Sequence, residues 1–192
     1  FKEIAQNIIV SENGLSGGVS REDFNNDGLI DIFLTSYGTK DQCKLFINKG
    51  FGFKDSTEEA GLSGLVGGLN TVHADYNNDG FTDIFILRGA WLGKGGNHPN
   101  SLLKNNGDGT FSDVTKSSGL LSFHPTQTAA WADVNNDGYL DLFIGNESRS
   151  NESHSCELYI NQKNGKFQEK SSEHNLSSIK GFVKAVIFGD IN

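Results

Sequence analysis

A nine-residue phrase recurs along this chain at nearly constant distance, and that recurrence restricts the fold more than any other feature. "DFNNDGLID" begins at Asp23, "DYNNDGFTD" at Asp75 and "DVNNDGYLD" at Asp133. The closing "GDIN" puts Asp190 and Asn192 at the first and third places of a fourth copy. Successive starts lie 52, 58 and 57 residues apart. A second phrase keeps step with the first: "LFINKGFGF" from Leu45, "LLKNNGDGTF" from Leu102 and "LYINQKNGKF" from Leu158. Its closing aromatics are Phe53, Phe111 and Phe167, and Phe1 stands where an earlier copy would place one. From each of these Phe residues to the next Asp the distance is 22, 22, 22 and 23 residues, whereas Asp to the following Phe varies between 30, 36 and 34. One half of the unit holds its length and the other takes the insertions. A period of about 50 residues implies an array of supersecondary units, none of which can bury its apolar face alone.

Within a unit the local signals are those of strands. "DIFLTS", "DIFILR" and "DLFIGN" follow the acidic phrase as short runs apolar on both faces, as expected of strands packed between neighbouring sheets. "NTVHADY" and "AAWADV" precede it with β-compatible residues; "KLFIN", "SLLKN" and "ELYIN" supply a third strand, and "GFKDS", "GTFSDVT" and "GKFQEK" a fourth. "NNGDG" between the third and fourth is hairpin-turn chemistry. After the fourth strand, Gly61, Gly119 and Asn175 occupy equivalent positions, all types that tolerate a left-handed backbone. The 24 glycines against 2 prolines fit many tight turns, and no segment sustains helical periodicity. The expected fold class is all-β, with four-stranded antiparallel blades of a β-propeller. Repeat units fall at roughly 1–53, 54–111, 112–167 and a partial 168–192, in one propeller segment. Three units with partial ends do not close a ring of about four to eight blades, so the chain is expected to be an arc of about three to four blades from a longer protein. The opening "FKEIAQNIIV" departs from the pattern of the other units.

The repeated phrase has the donor chemistry of a metal loop. Counting its first Asp as place one, carboxylates or amides fall at places one, three, five and nine, with Gly at six. Hard oxygen donors at alternate places of a tightly curled loop suit Ca²⁺, which takes about 6–8 oxygens, a backbone carbonyl at place seven included. The first site comprises Asp23, Asn25, Asp27, the carbonyl of Leu29, and Asp31. The second comprises Asp75, Asn77, Asp79, the carbonyl of Phe81, and Asp83; the third Asp133, Asn135, Asp137, the carbonyl of Tyr139, and Asp141. Asp190 and Asn192 begin a fourth. Three ions of charge +2 would move the formal charge from −8 to −2. An EF-hand loop opens in the same way but needs a bidentate Glu at place twelve and flanking helices. Place twelve here is Leu34, Ile86 or Ile144, each inside an expected strand. An isolated copy would read equally well as an Asp/Asn turn closed by its own side chains; three copies in one strand context favour calcium.

These phrases resemble FG-GAP (VCBS-type) repeats, the calcium-loop blades of integrin α-subunit propellers, with "AAWADVNNDGYLDLFIGN" and "VIFGDIN" carrying the likeness. With "LYIN…NGKF" after the loop, the combination is most similar to the cartilage acidic protein and ASPIC/UnbV group. The resemblance covers essentially the whole chain. It implies an extracellular, cell-surface or periplasmic propeller with structural calcium under each such blade, serving adhesion or the binding of protein or carbohydrate. "SREDF" and "VHADY" depart from it in lacking Phe-Gly before the Asp.

Charge and cysteine usage narrow the partners. A net charge of −8 disfavours nucleic acid, whose phosphates require clustered Lys and Arg, and no stretch reaches the apolar length of a membrane span. Cys43 and Cys156 occupy equivalent places in blades two apart, too distant for the ~4.4–6.8 Å Cα separation of a disulfide, so free thiols or pairing with other segments are expected. Sequons at Asn146, Asn151 and Asn175 bear on function only in a eukaryotic secretory pathway. If the loops share one face, the variable segments "RGAWLGKGGNHPN", "GNESRSNESHSC" and "SGLLSFHPTQTAA" emerge on the other. A protein or carbohydrate ligand is expected on that opposite face, where Trp91, His98, His124 and Arg149 are the residues able to bind one. Each also reads as an ordinary exposed or loop-packed side chain. No catalytic residue is assigned. Beside a non-catalytic binding module stand two alternatives: a calcium-dependent polysaccharide lyase or hydrolase using His98 or His124 as base, and a structural subunit of an envelope assembly.

Overall fold

The computed structural model describes residues 16–189. Phe1, the opening "FKEIAQNIIV" and the fourth-loop residues Asp190 and Asn192 lie outside them. Twelve strands form three four-stranded antiparallel sheets, each a meander in chain order. The first holds β1 (Ser16–Glu22), β2 (Asp31–Ser36), β3 (Lys44–Asn48) and β4 (Phe53–Asp55). The second holds β5 (Asn70–Ala74), β6 (Asp83–Leu87), β7 (Ser101–Asn105) and β8 (Phe111–Asp113). The third holds β9 (Thr126–Ala132), β10 (Asp141–Asn146), β11 (Glu157–Asn161) and β12 (Phe167–Glu169). These are propeller blades, and the described sheets do not close into a ring. The helical content of the described residues is one 3₁₀ turn, Gly93–Gly95, between β6 and β7.

Why the second strands are apolar on both faces is visible in β6. All five of its residues are buried. Successive side chains of a strand point to opposite faces, so Ile84 and Ile86 enter one core with Phe24, Phe33, Leu45 and Phe111, while Phe85 and Leu87 enter another with Leu120, Leu142 and Phe167. Each core is thus shared by two blades, and neither blade could bury its half alone. With about 1.5–3 kcal/mol gained per fully buried large apolar side chain, this shared burial is what holds neighbouring sheets face to face. Aromatic contacts bridge the second interface: Tyr76 stacks on Trp131 at 6.3 Å and lies 5.5 Å from Phe167.

Polar ties complement the cores. The closing Phe of one blade donates its N–H to the preceding blade's turn, Phe111 to Ala60 at 2.9 Å and Phe167 to Ser118 at 2.8 Å. Those two turns and the equivalent one of the third blade end at Gly61 (φ +75°), Gly119 (φ +84°) and Asn175 (φ +58°), as expected for a left-handed position. Cys43 and Cys156 are both buried and free. Asn146 is buried and its amide nitrogen donates to Glu157 at 2.9 Å, so its sequon is closed off inside the fold. Among the described residues no helix is long and apolar enough to cross a membrane.

Candidate metal centres

Each acidic phrase leaves the first strand of a blade and re-enters on the second, its ends paired as Glu22 with Asp31, Ala74 with Asp83 and Ala132 with Asp141. The loops are curled by their own carboxylates. Asp23 accepts from Asp27 N–H at 3.0 Å and Gly28 N–H at 2.7 Å, one bond to each oxygen. Asp75 does the same with Asp79 and Gly80, and Asp133 with Asp137 and Gly138. Place three adds a second acceptor for the same N–H, from Asn25, Asn77 and Asn135. Place five accepts from place seven: Asp27 from Leu29, Asp79 from Phe81, Asp137 from Tyr139. The turn requires left-handed backbone at places four and six, Asn26, Asn78 and Asn136 at φ +56° to +58° and Gly28, Gly80 and Gly138 at +86° to +87°. Asn and Gly are the residues that bear such angles most easily.

Place nine differs from the rest because it is buried. Asp31, Asp83 and Asp141 are each at most 1% exposed. One oxygen of each accepts from place two of its own loop, Phe24, Tyr76 or Val134. The other accepts from the end of the third strand, Asn48, Asn105 or Asn161, at 2.8 Å in every blade. Burial, opposed by backbone bonds from Asn105 and Tyr76 and reinforced by the neighbouring Asp79 and Asp75, holds Asp83 up at about 7. Asp31 and Asp141 are raised for the same reasons, with Asp27 and Asp23, or Asp137 and Asp133, as the repelling charges. The place-nine carboxylate of each loop therefore senses the other two.

Every predicted donor within the described residues lies on its loop, with oxygen chemistry throughout, which is the donor set a hard cation requires. Among the described residues no three Asp, Glu, His or Cys side chains are drawn tightly to one point; the loop oxygens instead take backbone N–H groups. Two place-five carboxylates also meet a cation, Asp79 with Lys104 at 3.3 Å and Asp137 with Lys163 at 3.4 Å.

Two asparagine positions escaped the sequence reading although their repetition was in view. The place-four Asn bridges consecutive loops: Asn26 Nδ2 donates to Gly80 O at 3.2 Å, and Asn78 Nδ2 to Gly138 O at 2.8 Å. The Asn ending the third strand reaches back one blade, Asn105 Nδ2 to Phe24 O and Asn161 Nδ2 to Tyr76 O, both at 2.8 Å. The loops consequently sit edge to edge on one face.

The variable connections gather on the other face. Trp91 is half exposed with φ +70°, its N–H bound to the buried Glu147 at 2.7 Å and its indole N–H to Gln127. Arg149 pairs with the same Glu147, and Lys184 Nζ lies 4.2 Å from the Trp91 ring and 3.9 Å from that of Phe182. His124 pairs with Glu157 at 3.3 Å and lies against His154, ring centres 4.9 Å apart. The Glu157 bond holds His124 above its ordinary value. His98 stands apart from these residues, on a cavity beside Arg88. The four predicted residues therefore fall into three places, with only Trp91 and Arg149 brought together through Glu147.

The family profile described as "FG-GAP-like repeat" matches residues 23–86, 75–144 and 133–192. Cartilage acidic protein 1 of Xenopus tropicalis is 31% identical over 135 residues, 70% of this chain and 19% of the relative. Cartilage acidic protein 1 of Homo sapiens is 35% identical over 94 residues, 48% of this chain and 13% of the relative. The chain thus spans a fifth or less of the length of these relatives.

Proposed function

Because the chain belongs to the FG-GAP-like repeat family, we propose that it is a calcium-stabilised propeller segment that acts as a binding module outside the cell or in the envelope, taking a protein or glycan on the face opposite its loops. The observation carrying the calcium reading is the buried place-nine carboxylate, raised by burial and by two acidic neighbours in each loop. A divalent cation would compensate the charge of the three carboxylates in each loop. Asp23, Asn25, Asp27, Asp31 and the Leu29 carbonyl would hold the first ion, with the corresponding residues holding the second and third. Places one to five lie in the loop and place nine begins the second strand, so an ion shared among them ties one strand's end to the next strand's start. That points to a structural role rather than a switching one. The external location rests on the kinship with cartilage acidic protein 1.

Calorimetry on chelator-stripped protein tests the metal. Three sites are expected, with Asp79→Ala removing one, and melting temperature should rise with Ca²⁺ by mass action. No response in titration or melting would remove calcium from the account. The His124–Glu157 pair favours a second reading, an enzyme acting on acidic polysaccharide with His124 as base. Turnover of a uronate polymer, abolished by His124→Gln with melting unchanged, would move that reading ahead.

A further inference from the structure

On the face opposite the loops, between the first two blades, lies a cavity of about 270 Å³ with Arg88 in its wall. Arg88 follows β6 directly. Its guanidinium is held rigidly: Nε donates to Val66 O at 3.0 Å, and Nη1 to Pro99 O at 3.0 Å and Ser101 Oγ at 2.8 Å. The two N–H groups of Nη2 have no partner among the described residues, and no described carboxylate forms an ion pair with Arg88. The two groups that act on its charge, Cys43 and Asp113, do not neutralise it. Burial pushes the Cys43 thiol up to about 11, so it stays uncharged at neutral pH. Asp113 attracts Arg88 only at a distance and spends an oxygen on Thr115.

A partly buried cation with no ion-pair partner among the described residues is costly to hold, and it is unexpected in a chain with 24 acidic and 16 basic residues. The remaining wall is mostly apolar, with Leu69, Leu92 and Pro99 beside Tyr37, Thr39 and His98. It is also tightly drawn, since a Cβ on Gly89 would stand 1.9 Å from Gly96 O. We propose that this cavity binds a carboxylate carried on an apolar stem, with Arg88 Nη2 as its anchor. The inference deepens the binding-face reading and rests on it. A guanidinium whose other donors are already fixed loses little freedom on pairing and matches the planar carboxylate. Apolar walls suit an aliphatic or aromatic stem better than a hydroxyl-covered sugar ring. Such a group reaches the cavity either as a free organic acid or as an acidic side chain of a protein partner.

Calcium-loaded protein titrated with benzoate and with the α-amide of N-acetylglutamate, each against its neutral carboxamide, tests the site by amide and Arg88 side-chain NMR. Both carboxylates should shift signals from Val66 to Leu69 and from Arg88 to Leu92, at least tenfold more tightly than their neutral counterparts. Tighter binding of benzoate assigns the site to a free acid, and tighter binding of the glutamate amide to a partner's side chain. Arg88→Gln should remove the preference for charge. Because Arg88 also supports Val66 and Pro99, Leu92→Trp provides an independent test by filling the mouth and blocking both ligands. Equal affinity for charged and neutral ligands, or saturation without a shift, would overturn the proposal. So would tighter binding of glucuronate or of inorganic sulfate. Shifts confined to Trp91 and His124 would overturn the cavity while leaving the face a binding surface.

Discussion

The two faces of this molecule are built from the same strands and obey different rules. On the loop face the contacts that tie strand to strand and blade to blade recur: the place-nine Asp accepts the same two N–H groups in each blade, and successive blades are laced by the same asparagines. On the opposite face the connections after the second strands differ from blade to blade. The connection after β2 is short and closed by Asp41, that after β6 carries Trp91 and the 3₁₀ turn, and that after β10 carries the Glu147–Arg149 pair. Repetition marks what must hold neighbouring blades in one geometry, and variation marks what is free to be specific. The loop face is therefore expected to govern stability and the opposite face recognition.

The largest test of that division is Asp83→Ala. It strands two buried N–H groups, on Tyr76 and Asn105, at about 1–3 kcal/mol each, so calcium-free protein should lose about 2–6 kcal/mol in denaturant unfolding. Asp141→Ala should cost a similar amount, because Val134 and Asn161 are stranded in the same way. A clear inequality between the two would break the equivalence of the loops. Next in size is Asn105→Ala, which removes the donor to Phe24 O and Thr82 O at about 1–3 kcal/mol. Asn161→Ala should again match it.

Trp91→Ala and His124→Ala should leave stability within about 1 kcal/mol, as both side chains are partly exposed, while changing the affinity for whatever the face binds. A melting loss as large as that of Asp83→Ala would erase the distinction between the faces. The smallest expected effect is a pH dependence of the His124–Glu157 pair. His124 is raised above its ordinary 6.5 by the Glu157 bond, so its contribution is complete below about 6.5 and fades as pH rises through the folded value. Burial pushes Glu157 up, but bonds from His124, Asn146 and Tyr159 outweigh it and hold the group below its ordinary 4.5. Its contribution is complete above about 4.5 and fades as pH falls through the folded value. The melting difference between the protein and His124→Gln should therefore be greatest between pH 4.5 and 6.5, amounting to about 1 kcal/mol or less because the His124 side chain is partly exposed. A difference that stayed flat from below pH 4.5 to above pH 6.5 would show that the pair contributes nothing.

Much of the loop face was legible because its chemistry is local. Place one reaches N–H groups four and five residues on, so a nonapeptide contains its own turn. The left-handed angles fall on Asn and Gly, which advertise them. The fourth-strand turn at Gly61 and Gly119 was legible for the same reason. Asn78 and Asn105 were not, because a repeated Asn says that a role exists while its acceptor lies 60 or 81 residues away. Arg88 gave no signal at all: a lone arginine in a loop reads as solvated until Val66 and Pro99 close over it.

By itself the sequence determined the strand pattern, the four-strand repeat and the oxygen-rich loops, since all three follow from periodicity and from side chains bonding within a few residues. Only the tertiary structure decided which face of β6 meets which neighbour, how the asparagines lace one blade to the next, and that Arg88 lies in a cavity with no ion-pair partner among the described residues. Those outcomes depend on groups brought together from distant parts of the chain, where burial, rather than local preference, sets the energy of each contact.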